Sequence, residues 1–282
     1  MEALSRLLVQ SQRIMPTNLI SRLWGRFART SASRHVIRPF ARAFDIAVSE
    51  AEMEVDEYPT LNAFFTRRLK PGARPVDDDP DVLVSPVDGS VSQAGICEQD
   101  RLLQIKGSHY DLFGLLREGS MVKRFENGTY LTLYLSPQDY HRIHAPTELH
   151  ITDLSYMPGT LLPVNPPSVR WNPGLYTQNE RIILYADSFF GPMAMVLVGA
   201  NCVGSISLTF HEFRTNRFGR GPMRLNFQDP IVVNKADDIG AFEMGSTVIL
   251  LFVPDRVKLE SVKEGAPVRL GQRIASTFKE VR

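Results

Sequence analysis

The sequence lacks the features that mark disulfide-rich, membrane-spanning and secreted proteins. Among its 282 residues are only two cysteines, Cys97 and Cys202, which excludes a disulfide framework and a thiolate metal cluster. No apolar run approaches the roughly 20 residues that a membrane-spanning helix needs. The N-terminus, interrupted by Glu2, Arg6 and Arg13, lacks the basic-then-apolar layout of a secretory signal. These absences predict a protein that is cytosolic or attached to a membrane surface.

Lysine and acidic residues are nearly absent from the first 44 residues. That segment contains eight arginines, no lysine and one acid, a net charge of +7, whereas the other 238 residues carry 24 basic and 30 acidic ones. A basic arm therefore precedes a mildly acidic body. We do not expect nucleic acid as a partner, because no aromatic and basic platform or binding motif accompanies the arm.

The arm contains an amphipathic helix pattern after Pro16, with Thr17 and Asn18 as candidate N-caps, and Thr60 is the candidate N-cap of a separate short helix. The two faces of the arm's helix lie roughly 140° apart at about 100° per residue. The apolar face consists of Ile20, Leu23, Trp24 and Phe27. The opposite face consists of Arg22, Arg26 and Arg29. We expect the three arginines and Trp24 to bind an anionic membrane. The alternative is a helix that packs on the body with its arginines in solvent.

From about residue 80 the sequence becomes a series of short segments rich in β-branched and aromatic residues, separated by turn residues. The absence of a regular alternation of strands and helices excludes a doubly wound parallel sheet. We predict an α+β protein with an N-terminal helical region at 1–75 and a mainly antiparallel β body at 76–282, shaped as a barrel-like sandwich. The proline-rich segment 157–174 is too long and apolar for a routine connector, and we expect it at the membrane.

Reactive side chains concentrate in three places. Asp88–Gly89 is one, although this pair is common in turns. A second is the cluster that follows the strand pattern near residue 135, where Asp139, His141 and His144 lie close together. A metal site built from these three residues is the alternative to catalysis, but we expect no metal because no further ligand cluster is present.

The third place is Gly245–Ser246–Thr247, directly before an apolar run at 248–252. A strand that begins with a bulge is the ordinary explanation of such a triplet. The G-x-S-x-G pattern of a nucleophile elbow does not surround Ser246, so nothing indicates a conventional hydrolase.

Several short motifs together resemble the phosphatidylserine decarboxylase proenzymes, in the same order and spacing. They are YHRIHAP at Tyr140–Pro146, NER at Asn179–Arg181, VGSI at Val203–Ile206, MGST at Met244–Thr247 and TLNAFFTRRLKPGARP at Thr60–Pro75. The resemblance covers nearly the whole chain from about Pro16. Met244 stands where many members carry Leu or Phe, an exchange of one apolar residue for another.

The resemblance implies that the chain cleaves itself between Gly245 and Ser246 into chains 1–245 and 246–282, which stay associated. Ser246 would become a pyruvoyl group, a covalent pyruvate cofactor that forms a Schiff base with the substrate amine. Asp88, His144 and Ser246 would form the self-cleavage triad. His141 would act in the decarboxylation step.

The implied reaction converts phosphatidylserine to phosphatidylethanolamine in phospholipid biosynthesis. Since this substrate stays in the bilayer, the resemblance predicts a peripheral protein at the cytoplasmic face of the cell membrane, and it suggests a homodimer. A different class of function is a non-catalytic carrier domain. The segments SPVDGSV at Ser85–Val91 and VKEGAPVRLGQRIA at Val262–Ala275 resemble half-motifs of biotinyl and lipoyl carrier barrels, but the hairpin-tip lysine of such domains is missing.

Overall fold

The fold is known from a computed structural model, which describes residue 9 and residues 16–105, 108–201, 205–217, 219–243, 245–260 and 263–278. Part of the predicted arm, Cys202, the first half of VGSI and Met244 lie outside these residues. The α-helices α1–α7 are Thr17–Ala28, Ile37–Ala43, Leu61–Phe65, Leu112–Leu116, Gly119–Phe125, Pro166–Trp171 and Leu175–Gln178. Short 3₁₀-helices occupy Ser31–Val36, Val48–Glu50 and Val55–Glu57.

The strands form four antiparallel sheets in the described part of the chain. Strands β1–β8 are Val82–Val84, Gly89–Ile96, Arg101–Ile105, Ser108–Asp111, Thr129–Leu135, Arg142–His144, Leu149–Met157 and Arg181–Asp187. Strands β9–β16 are Met193–Gly199, Ser205–Leu208, Met223–Val233, Asp238–Glu243, Ser246–Phe252, Val257–Leu259, Pro267–Val268 and Arg273–Thr277. The largest sheet has the order β11-β7-β8-β9-β13-β5-β2-β15, and the smaller ones are β1-β16-β14, β10-β12-β6 and β3-β4.

This topology confirms the α+β class and the antiparallel body. Barrel-like describes the body only loosely, because the sheets of the described residues are not closed barrels: the large one runs from β11 at one edge to β15 at the other. The motifs that suggested a barrel each contribute one strand of the β15–β2 pair at one edge of that sheet. A pair of hairpin-like segments does not determine whether a sheet closes, because closure depends on the tilt and stagger of all its strands.

Strand β13 lies in the middle of the large sheet and pairs along its length with β5 on one side and β9 on the other. All seven of its residues are buried. Successive side chains alternate between two hydrophobic clusters on opposite faces of the sheet: Val248 and Leu250 belong to one, and Ile249 and Leu251 to the other. A central strand covered on both faces explains the unbroken apolar run in the sequence.

Helix α1 docks on the body in a way that the sequence pattern does not predict. Its small residues Ser21, Gly25 and Ala28 are buried, whereas its large apolar side chains remain in solvent, with Leu19 51% and Leu23 56% exposed. The helix therefore packs on the body, as the alternative expects, but through its small residues, and Arg22 and Arg29 contact body residues instead of lying wholly in solvent. Small side chains allow the helix backbone to approach its neighbours closely, and this decides which face is buried.

Polar contacts also fix α1. Thr17 lies inside the helix, and the N-cap position belongs to Pro16, so the predicted cap is wrong. The Asn18 side chain instead donates a hydrogen bond to the Gly159 carbonyl at 2.9 Å. The other predicted cap is confirmed: the Thr60 hydroxyl accepts from the Ala63 amide at 3.1 Å.

The segment 157–174 turns most of its apolar side chains inward. Leu161, Leu162 and Val164 are buried in the body, and the segment then forms α6. These residues therefore already have cover without a membrane. Among the described residues, no helix is both long and apolar enough to span a bilayer.

Candidate active site

Ser246 begins β13, and its side chain is completely buried. Its strand neighbours are Leu135 at the end of β5 and Gly199 at the end of β9. Within the described residues its hydroxyl has no hydrogen-bond partner. A buried hydroxyl without a partner is destabilising, so its presence at this position favours a chemical role.

Gly245 has the backbone geometry that the adjacent serine requires. Its φ of +56° lies in the left-handed region, which residues with a Cβ rarely adopt. A Cβ at this position would also lie 3.2 Å from both the Ala200 Cβ and the Asn201 carbonyl oxygen. The backbone conformation and the limited space therefore both favour glycine at position 245. Because glycine has no side chain, nothing on this residue crowds its carbonyl group.

The NER motif supports the strand end opposite Ser246. The Asn179 side chain donates to the Gly199 carbonyl at 2.9 Å and bonds both backbone groups of Leu162. The Arg181 guanidinium is buried and donates to four carbonyls, including those of Leu115 at 2.7 Å and Gly114 at 2.7 Å. Its pKa falls to about 10 because of burial. The motif therefore has a structural role: Asn179 holds the end of β9 at the point where β9 pairs with Ser246 of β13.

Asp88 directly precedes β2, which lies two strands away from β13 and Ser246 in the large sheet. Gly89 packs so closely on β5 that a Cβ there would lie 2.3 Å from the Tyr134 carbonyl oxygen. Because neighbouring strands are about 4.8 Å apart, the chains at Asp88 and Ser246 are separated by about 10 Å. The Asp88 carboxylate accepts from the Arg74 guanidinium at 2.5–3.0 Å and from the Leu270 amide at 2.8 Å.

His144 ends β6, beside the Asp88 turn, and its amide donates to the Pro86 carbonyl at 2.9 Å. Its Nδ1 lies 2.7 Å from the Ala236 carbonyl oxygen, which assigns the proton to Nδ1. Nε2 is then an acceptor, and the Tyr140 hydroxyl donates to it at 3.2 Å. Burial lowers the pKa of His144, which favours the neutral imidazole that a general base needs.

Asp88 and Ser246 lie at one end of the large sheet, and His144 lies beside the Asp88 turn, but the described structure contains no hydrogen bond among the three predicted triad residues. A carbonyl, rather than Asp88, orients His144, and Arg74 holds Asp88. Neither Arg74 nor the Ala236 carbonyl is recognisable from the sequence as part of the site, since Arg74 stands in a motif that indicates only the family and a carbonyl contributes no side chain.

His141 is fully buried, and its ring centroid lies 4.1 Å from that of Phe65. Its Nδ1 donates to the Asp139 carbonyl at 2.8 Å, and its Nε2 has no partner in the described residues. Burial, with a contribution from nearby Arg67, lowers its pKa to about 3. The His141 carbonyl accepts from the Phe242 amide at 2.9 Å, so the loop carrying His141 is joined to β12, four residues before Ser246.

Glu243 is a further buried carboxylate near the Gly245–Ser246 bond, and no sequence motif marks it as part of a site. It lies at the end of β12, three residues before Ser246, and is 2% exposed. It forms ion pairs with Arg29 of the arm and with Arg214 at 3.0 Å. The described residues contain no group of three or more histidine, cysteine or carboxylate side chains that could hold a metal ion.

Comparison with known proteins identifies the family. The profile of the family described as phosphatidylserine decarboxylase matches residues 61–276. The chain belongs to the phosphatidylserine decarboxylase family. Relatives named phosphatidylserine decarboxylase proenzyme include one from Myxococcus xanthus, 44% identical over 267 residues, which covers 93% of this chain and 95% of the relative. Another, from Anaeromyxobacter sp., is 42% identical over 274 residues, which covers 95% and 97% of the two chains.

A third relative of the same name, from Shewanella baltica, is 40% identical over 282 residues and covers 96% of both chains. Family membership confirms the resemblance found in the sequence. The alternative of a non-catalytic carrier domain receives no support, since the relatives carry an enzyme's name over nearly their full length.

The buried state of His141 leads to a prediction about pH. Because its folded pKa of about 3 lies below the ordinary value of 6.5, the unfolded chain binds an extra proton between these limits. This residue therefore lowers the free energy of unfolding as the pH falls below 6.5. In a Ser246→Ala chain, we expect His141→Gln to lose about 2 kcal/mol less stability than its parent between pH 7 and pH 5. Urea unfolding at both pH values measures this, and equal losses would contradict it.

Proposed function

We propose that this protein decarboxylates phosphatidylserine to phosphatidylethanolamine with a pyruvoyl group that it makes from its own Ser246. The single observation that carries the proposal is the unpartnered, buried Ser246 hydroxyl directly after a left-handed Gly245. Membership in a family whose relatives are named phosphatidylserine decarboxylase proenzyme supports both the substrate and the processing.

The self-cleavage chemistry needs only groups of this chain and water. The Ser246 Oγ attacks the Gly245 carbonyl carbon, the C–N bond breaks, and the amide becomes an ester with a free Ser246 amine. Removal of the Ser246 Hα then expels the Gly245 carboxylate across Cα–Cβ. The resulting enamine takes up water and releases ammonia, which leaves a ketone at the new N-terminus.

His144 is the proposed base for the attacking hydroxyl, because its Nε2 is an acceptor in the neutral imidazole. Tyr140 occupies Nε2 in the uncut chain and has to release it for the proton transfer. Asp88 is the proposed acid partner of the triad, and Arg74 holds its carboxylate in place. A carboxylate near the imidazole stabilises the imidazolium that forms.

The residues around Ser246 fit the pyruvoyl group. The buried position before the apolar strand β13 keeps the new terminus away from water. When formed, the ketone would supply an electron sink for the loss of CO₂ from the substrate. His141 is the proposed partner in that step, since its neutral imidazole has an unpartnered Nε2 that can hold or deliver a proton at the reacting carbon.

We further propose that the two chains stay together after cleavage. Residues 246–282 contribute β13 to β16, and these strands pair with β1, β2, β5 and β9 of the larger chain. Separation would break the middle of the large sheet. A homodimer of this two-chain unit stays a prediction.

The location we propose is peripheral, on the cytoplasmic face of the membrane that contains the lipid substrate. Helix α1 supports this, because its exposed large apolar side chains form one stripe beside a row of arginines. The stripe consists of Leu19, Ile20, Leu23, Trp24 and Phe27. Arg22, Arg26 and Arg29, which belong to the same helix, complement anionic lipid.

Cleavage is tested first by intact mass. We expect fragments of 245 and 37 residues, the smaller lighter than its serine form by one ammonia. Ser246→Ala should remain a single uncut chain without decarboxylase activity. Thr247→Ala is the matched control, since Thr247 also carries a buried unpartnered hydroxyl but its side chain lies on the opposite face of the sheet, so it should be cut. Active protein consisting only of the uncut chain would refute the proposal.

The roles of the polar residues are separated by following processing and decarboxylation independently. His144→Ala and Asp88→Asn should slow self-cleavage by about 10²–10⁴, the usual contribution of general acid–base catalysis. Tyr140→Phe should still cleave, because it removes only a competing donor to Nε2. His141→Ala should be processed but slow in decarboxylation. Gel time courses and CO₂ release measure the two stages, and normal processing of His144→Ala would remove it as the base.

The membrane contact is tested on the apolar stripe. Changes to the arginines are less informative, since Arg29 pairs with Glu243 and Arg22 donates to the Asn216 side chain. Replacing both Leu19 and Leu23 by serine should weaken binding to vesicles at least tenfold, since burying one leucine contributes about 1.5–3 kcal/mol. Val232→Ser, at another exposed apolar residue, is the control. Co-sedimentation that is equal for wild type and the leucine variant would refute a contact through α1.

A further inference from the structure

A cavity lined by arginines lies between α1 and the segment 205–217. Its volume is about 340 Å³, within the range of small ligand sites. The arginines that line it are Arg22, Arg26, Arg29, Arg214 and Arg217. The other described lining residues are small or neutral polar ones, Ser21, Gly25, Ser205, Thr215 and Asn216. No large apolar side chain of the described residues lines it.

The carboxylates near this cavity do not balance its charge. Glu243 pairs with Arg29 and Arg214, and Glu180 accepts from the Asn216 amide at 2.8 Å. Among the described residues no carboxylate pairs with Arg26 or Arg217, so the positive charge of these two guanidiniums is not balanced there. No ion pair or hydrogen bond in the described structure engages the guanidiniums of Arg26 or Arg217. Like charges collected in a concave site repel one another, and an anion from solution would relieve this.

We propose that this cavity binds the phosphate of a phospholipid. Guanidinium groups match the oxygens of a phosphate in bidentate geometry, and a cluster of arginines is how proteins commonly bind this anion. The exposed stripe of α1 lies next to the cavity along the same helix, since Leu23 and Trp24 stand between the lining residues Arg22 and Arg26 in the sequence. A ligand that fits both surfaces has an anionic head and an apolar tail.

The inference rests on the proposed membrane location and adds a discrete site to it. A diffuse basic surface would use the three arginines of α1 alone, whereas the cavity also requires Arg214 and Arg217 of the body. Glu243 connects the cavity to the cleavage segment, because it lies three residues before Ser246, at most about 10 Å along the chain. The bound phosphate would thus anchor a lipid close to the reacting end of β13.

The test measures binding alone, so it is independent of decarboxylation. Dihexanoylphosphatidylglycerol, kept below its micelle concentration, is titrated into the full-length Ser246→Ala chain by calorimetry. We expect one saturable site per chain. Arg217→Gln and Arg26→Gln should each weaken it about tenfold or more, the loss expected for a charge-assisted hydrogen bond. Arg101→Gln is the control of equal charge change, on an exposed residue that does not line the cavity.

Two further ligands identify what the cavity recognises. Dihexanoylglycerol, which lacks the phosphate, should not compete. Inorganic phosphate should compete, but at least tenfold more weakly than the lipid because it cannot contact the stripe. Phosphate that binds as tightly as the lipid would refute the lipid assignment. Equal affinities of Arg217→Gln and Arg101→Gln, or the lack of a saturable site, would refute the cavity itself.

Discussion

The burial of Ser246 between two strand partners is the constraint on which the rest of the site depends. Strand β13 is hydrogen-bonded on both edges, so its first residue cannot turn towards solvent without breaking pairs with β5 and β9. The hydroxyl is therefore kept in the interior without a partner, at a cost in folding free energy. Gly245, directly before Ser246, adopts a left-handed backbone conformation that residues with a side chain rarely take. Stability is given up at the one peptide bond where the proposed chemistry occurs.

The surrounding polar groups follow from the same burial. His141 and His144 are both shifted towards the neutral imidazole, and each holds its Nδ1 proton against a backbone carbonyl. The Nε2 atom of His144 accepts a hydrogen bond from Tyr140, whereas that of His141 has no partner among the described residues. Asp88 keeps its place through Arg74 rather than through a histidine. Asp88 and His144 are thus each held by other groups and are not hydrogen-bonded to each other in the described structure.

The arm and the site are physically linked through Glu243. Arg29 at the end of α1 reaches this buried carboxylate from outside, while Arg214 reaches it from the body. Removal of the arm would leave a buried carboxylate with one partner fewer, close to the proposed cleavage position, which is costly in an interior. The same docking directs the small face of α1 inward and its leucines and tryptophan outward. The Arg29–Glu243 contact therefore joins α1 to the end of the strand before the proposed cleavage position.

The sequence by itself determined the α+β class, the apolar central strand, the Thr60 cap and, through the combination of short motifs, the family. These features are local, because they depend on residue type and spacing within single segments. It could not determine that α1 buries Ser21, Gly25 and Ala28 rather than its larger apolar residues, or that the sheet stays open. It also could not pair Asp88 with Arg74, His144 with the Ala236 carbonyl, or Glu243 with Arg29. The residues in these contacts are 14 to 214 positions apart in the sequence, and only the tertiary packing decides which of them come together.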